Sequence, residues 1–131
     1  MDEPVWLTRL TVDAIHYDQL QRHGGRSGIK DENALESAIA RPRQKQQYDE
    51  KPDLCTLAAA YGFGLATSHP YTDGNKRVAF MAMYTFLGIN GWDITAPEPE
   101  VVQVMLDVVV RTLDERALAS WLRAHLAPFV D

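Results

Sequence analysis

Apolar positions along the chain recur at three- and four-residue intervals, in blocks separated by glycine, proline and short polar residues. That is the spacing of helices buried on one side, and no block alternates in the manner of a strand. Val12, Ile15 and Leu20 define a first face; Thr11 stands as its N-cap and Gly24-Gly25 ends it. Asp31 is placed to cap a second helix with Leu35, Ala38 and Ile39 turned inward, and Pro42 is expected to stop it by excluding Arg41 from helical geometry. Residues 43–52 are polar and read as an exposed connection. Asp53 caps a third helix, DLCTLAAAYGFGLATSH, which is apolar on almost every face and therefore belongs at the centre of a bundle. Its Gly62 and Gly64 predict close packing against neighbours, since no strand precedes them and the third glycine of a dinucleotide loop is missing.

A fourth helix is predicted from near Asn75 through Val78, Phe80, Met81, Tyr84 and Leu87, with Gly88, Asn90 and Gly91 stopping it. Residues 92–95 read as a short extended piece. Glu98, Pro99 and Glu100 suit a helical first turn, followed by Val101, Val104, Met105, Val108 and Val109 at helical spacing. Asp114 caps a last helix with Leu118, Trp121, Leu122 and Leu126 on one side. The expectation is an all-α bundle of about six helices, and 131 residues suit a single domain spanning 1–131.

Composition narrows the function. Thirteen basic against eighteen acidic side chains give a formal charge of -5, so no general basic field is available for a nucleic-acid backbone or an anionic membrane. Any anion site must be local. Cys55 is the lone cysteine, which excludes an internal disulfide framework and a cysteine-based zinc site and suits a reducing, cytoplasmic compartment. The opening MDEPVWLTRL lacks the basic and apolar regions of a secretory signal, and the longest apolar stretch is too short to span a bilayer.

The densest chemistry lies between the third and fourth helices, in residues 69–77, HPYTDGNKR. Pro70 and Gly74 imply a tight turn into Asn75 and hence an open helix N-terminus. The free N–H groups and dipole there favour an anion, and Lys76 and Arg77 add full positive charges, so phosphate is the indicated ligand. Asp73 would repel phosphate unless a cation intervened; Mg2+ held by one carboxylate and phosphate oxygens resolves the conflict. His69, just before the turn, is placed to act as a general base toward an incoming hydroxyl. Asn75 can donate to a phosphate oxygen or hold the turn, and Tyr71 is expected to point inward and anchor it. A Walker A loop is excluded, because the chain contains no Gly-Lys pair.

These residues resemble the signature of the Fic/Doc (Fido) family, and within it the death-on-curing, Doc-type toxin branch. Upstream, GGRSGIKDENALESAIARP is also similar to the family's early loop and second helix, so the resemblance covers nearly the whole chain. It implies a Fic-like helical bundle with the motif between two central helices. It further implies that His69 activates a target hydroxyl, Asp73 contacts Mg2+, and Gly74, Asn75, Lys76 and Arg77 hold the phosphates of ATP. Fic enzymes that transfer AMP usually carry glycine where this chain has Lys76; Doc-type toxins carry lysine, which implies a reversed nucleotide presenting its terminal phosphate. The implied activity is then phosphorylation of a Ser or Thr hydroxyl, with a translation elongation factor as the expected kind of target and growth arrest as the outcome.

Two positions depart from that pattern: Gly74 matches the AMP-transferring form, and Tyr71 replaces the usual phenylalanine. AMP transfer by the same site, and a catalytically silent interaction module, are the alternatives. No internal [ST]xxxE[GN] inhibitory string is present. In the Doc branch restraint comes instead from a small antitoxin, one segment of which folds on binding.

Overall fold

The computed structural model describes residues 3–48 and 51–130. Among these lie six helices, α1 (Arg9–His23), α2 (Glu32–Tyr48), α3 (Leu54–Ser68), α4 (Asn75–Ile89), α5 (Glu98–Val109) and α6 (Glu115–Ala124). Two short strands, β1 (Trp92–Ile94) and β2 (Leu126–Pro128), pair antiparallel with Asp93 opposite Ala127. The expected mostly helical bundle is therefore present, with a small two-stranded addition.

The bundle is organised around α3, ten of whose fifteen residues are buried. A helix without a polar face must be surrounded, and α3 packs against α2, α4 and α6. The glycines make that possible. A Cβ at Gly62 would overlap the buried Met83 side chain of α4, and one at Gly64 would press on Arg41 and Ala38 of α2 at 3.3 and 3.4 Å. Asp53 caps α3 through its carboxylate, which accepts the Thr56 N–H at 2.7 Å, and also meets Arg123 of α6. Because α3 and α4 lie side by side, the chain connecting them is presented at one end of the core.

Three boundaries differ from the sequence reading. Helix α1 begins before Thr11: Thr8 is the cap, and its Oγ1 accepts the Thr11 N–H at 3.1 Å. Both threonines are competent, but buried Leu7, whose N–H donates to Tyr61 Oη at 3.0 Å, fixes where the chain enters. Helix α2 does not stop at Pro42 but continues to Tyr48, with Pro42 buried inside it. An interior proline removes only one backbone donor and kinks rather than abolishes a helix that packing holds. Here Arg41 and Lys45, one on each side of the proline, both pair with Glu115 of α6. Of the polar connection expected over residues 43–52, Asp49 and Glu50 lie outside the described residues. Finally, α6 ends at Ala124, so Leu126 belongs to β2 rather than to the last helix. A strand of three residues is too short to show an alternating pattern.

Candidate active site

The loop from α3 to α4 is held at both ends and in the middle. His69 terminates α3 in the left-handed region, φ 50° and ψ 55°, a conformation uncommon for a residue with a side chain. Pro70 and Tyr71 follow, both buried. Tyr71 is 1 % exposed, and its hydroxyl donates to Asp13 Oδ1 of α1 at 2.7 Å; burial and that carboxylate push the phenol pKa far above its ordinary value. The inward anchor expected of Tyr71 is thus present. The early loop between α1 and α2 runs alongside. Lys30 and Asp31 donate their N–H groups to the Pro70 carbonyl at 2.8 and 3.0 Å, and the Thr72 N–H donates to the Gly28 carbonyl at 3.0 Å.

Asn75 closes the turn with its side chain. Its Oδ1 accepts the Tyr71 N–H and its Nδ2 donates to the Tyr71 carbonyl, both at 2.9 Å. That leaves the backbone N–H as its main offering to a ligand. Gly74 is the N-cap of α4 at φ 80° and supplies no side-chain cap, so the first-turn N–H groups of Asn75, Lys76 and Arg77 stand open. At Gly74 conformation rather than space requires glycine, since the nearest atom to an added Cβ would be 3.8 Å away.

These N–H groups open into a cleft of about 600 Å3 between α4, α5 and the end of α1. Asp73, Gly74, Asn75, Lys76 and Arg77 line its polar part together with Gln19 and His23; Phe80, Tyr84, Val101 and Met105 contribute apolar wall. A pocket with one polar, cation-bearing end and one apolar end suits a ligand such as a nucleotide, which carries phosphates and a base. A smaller cavity of about 240 Å3 between α2, α3 and α6 contains Lys45, Glu115 and Arg123, already engaged in ion pairs, and none of the loop residues.

Asp73 is exposed, with Oδ2 accepting the Arg26 N–H at 3.1 Å and Oδ1 the Gly74 N–H at 3.0 Å. These two hydrogen bonds, aided by the Arg26 and Arg77 charges, hold its carboxyl below the usual carboxylate range. Each oxygen retains a lone pair. One ionised, accessible carboxylate beside an open phosphate-sized N-terminus is the donor set that suits Mg2+, which takes one or two carboxylates and completes its shell with phosphate oxygens and water. Among the described residues no group of three or more His, Cys, Asp or Glu side chains forms an all-protein metal cage.

His69 is half-buried at the opposite end of the loop and does not line the cleft. The structure thus brings Asp73 to Arg77 onto one wall of the cleft, and His69 is not among its lining residues. Sequence reasoning missed three residues of α1. His16 is buried, with Nε2 2.9 Å from the Asp73 carbonyl, while Gln19 and His23 line the cleft. They stand at i, i+3 and i+7, one helical face, and a polar stripe repeated at that spacing was the available signal.

The Fic/DOC family profile matches residues 6–87, from the segment before α1 to the last turns of α4 and including the whole loop. The chain belongs to the Fic/DOC family. Within it, the chain is 37% identical to the Toxin Doc of Mycolicibacterium smegmatis (strain ATCC 700084 / mc(2)155) over 108 residues, covering 79% of this chain and 82% of that one. It is 29% identical to the Protein kinase doc of Escherichia phage P1 over 110 residues, covering 84% and 86%. The Fic/DOC match includes His16, Gln19 and His23 as well as the loop.

Proposed function

We propose that this Fic/DOC chain is a Doc-type toxin that uses ATP to phosphorylate a Ser or Thr hydroxyl of a cellular protein. The observation that carries the reading is Lys76 beside Arg77 at the open N-terminus of α4, facing an amphipathic cleft. Support comes from two relatives aligned over most of their length, one named a protein kinase and the other a toxin. The phosphates would lie against the N–H groups of Asn75, Lys76 and Arg77, with the two cations balancing their charge. Mg2+, bound through Asp73, would neutralise charge on the polyphosphate.

In the transfer, a ring nitrogen of His69 takes the proton as the target oxygen bonds to the terminal phosphorus. The bond from that phosphorus to the bridging oxygen breaks, and ADP leaves. That His69 is absent from the cleft wall fits a base that meets the second substrate, the protein, rather than the nucleotide. A translation elongation factor is the expected class of target, and an antitoxin whose segment folds on binding is the expected restraint. A kinase and its protein target would meet where ATP is abundant, in the cytoplasm.

AMP transfer remains the second reading because Gly74 matches that form. A cell extract incubated with the protein and with ATP labelled at the terminal or the inner phosphate separates the two. Label from the terminal phosphate on protein supports kinase chemistry; label from the inner phosphate alone refutes it. Lys76→Gly should lower terminal-phosphate transfer by at least tenfold, and unchanged transfer would remove the reason for preferring it. Undiminished toxicity in a folded His69→Ala variant would instead favour a silent interaction module.

A further inference from the structure

Helix α1 reaches the loop through a residue to which the proposed chemistry assigns nothing. His16 is 7 % exposed, and its ring stacks on Tyr71 with centroids 3.8 Å apart and planes 10° from parallel. Its Nε2 lies 2.9 Å from the Asp73 carbonyl oxygen. A carbonyl oxygen only accepts, so Nε2 carries the hydrogen and donates.

That hydrogen bond acts on the peptide between Asp73 and Gly74. The peptide is planar, with its C=O and N–H on opposite sides. His16 holds the carbonyl, and the N–H on the other side donates to Asp73 Oδ1 at 3.0 Å. Turning the plane over would carry the N–H away from the carboxylate. The Arg26 N–H on Asp73 Oδ2 and the Val78 N–H on the Gly74 carbonyl, at 3.1 and 3.0 Å, hold the groups on either side, but neither bonds the Asp73–Gly74 peptide itself, and Gly74 occupies the left-handed region, where glycine moves at low cost. We infer that His16 is a positioning residue: by donating Nε2–H to the Asp73 carbonyl, it fixes the Asp73–Gly74 peptide and with it the carboxylate that faces the phosphate site.

This inference rests on the proposed role of Asp73 toward Mg2+–nucleotide, but part of its test does not. Three proteins serve: wild type, His16→Phe, which keeps a ring against Tyr71 without a donor, and His16→Gln, which restores an N–H at similar reach. First, 15N NMR of the nucleotide-free wild type should show His16 as the Nε2–H tautomer, and the Gly74 amide resonance should move in His16→Phe and return toward its original position in His16→Gln. Second, titration with a non-hydrolysable ATP analogue should show affinity in the presence of Mg2+ falling about tenfold in His16→Phe, the scale that loss of one hydrogen bond permits. Without Mg2+ the affinity should change less than twofold, and His16→Gln should recover to within about threefold of wild type.

An Nδ1–H tautomer overturns the inference. So does a folded His16→Phe protein with wild-type Mg2+-dependent affinity, or an equal loss with and without Mg2+, which would mark His16 as merely structural. If His16→Phe does not fold, the tautomer and the His16→Gln titration still decide. If the wild type binds no nucleotide, the functional reading fails on its own, and the tautomer with the Gly74 resonance still judges the hydrogen bond.

Discussion

Asp53 tests whether the support beneath the site is as local as the structure makes it. Its carboxylate caps α3 by accepting the Thr56 N–H at 2.7 Å, and it pairs with Arg123 of α6 at 2.6 Å. The Arg123 hydrogen bond, followed by those from Thr56, lowers the Asp53 pKa to about 2 against an opposing effect of burial. With half of its surface exposed, the carboxylate is screened by solvent, so the shift is worth about 1 kcal/mol rather than its full linkage value. A cap of this type contributes about 1 kcal/mol, and the two overlap because the capping hydrogen bond is part of the shift. Asp53→Ala should therefore cost about 1.5 kcal/mol at pH 7 and lower the midpoint of thermal unfolding by about 5 °C. Asp53→Asn, which keeps a capping oxygen, should cost about half as much.

The sign with pH follows from the depressed pKa. Wild-type Asp53 contributes fully above its unfolded pKa and loses that contribution as pH falls through the ordinary carboxylate range toward 2. Urea unfolding followed by circular dichroism at pH 7, 4 and 2.5 should show the gap between wild type and Asp53→Ala narrowing. A gap that stays constant over that range, or one below about 0.3 kcal/mol at pH 7, would refute the reasoning.

Three further outcomes are expected. Tyr71→Phe deletes the hydrogen bond to Asp13 but keeps the stack on His16, so stability should fall by about 1 kcal/mol in urea unfolding and transfer should stay within about twofold of wild type. Asp73→Ala should abolish most of the advantage that Mg2+ gives to ATP-analogue binding, measured by calorimetry, while the fold survives because Asp73 is exposed. Gly74→Ala has room for its Cβ but not the preferred backbone, and should lose about 1 kcal/mol of stability in the same urea assay.

What could be read in advance follows the strength of local signals. Asp31, Asp53 and Asp114 were legible as caps because a short acidic side chain before an apolar repeat has few other uses, and each accepts an N–H three residues on. The loop residues were legible because so many ionisable groups around one glycine have no packing explanation. Thr8 and Pro42 were misread where tertiary contacts outweighed local preference, through Leu7 and Tyr61 in one case and Glu115 in the other. His16 was missed for a different reason. The polar stripe it shares with Gln19 and His23 was there to be read, but its partner is defined only once the fold brings it to Asp73, fifty-seven positions away in the chain.

The loop sewn between α3 and α4 also acts as a ruler. His69 ends one helix in a fixed left-handed turn, Asn75 locks the next through Tyr71, and the early loop grips the strip between them. Lengthening that strip by a single residue would turn one helix by about 100° against the other or force a knot of backbone out of the clamp. The spacing from His69 to the open N-terminus of α4 is thus set by counting residues, and the outer surfaces of the helices can vary without altering it.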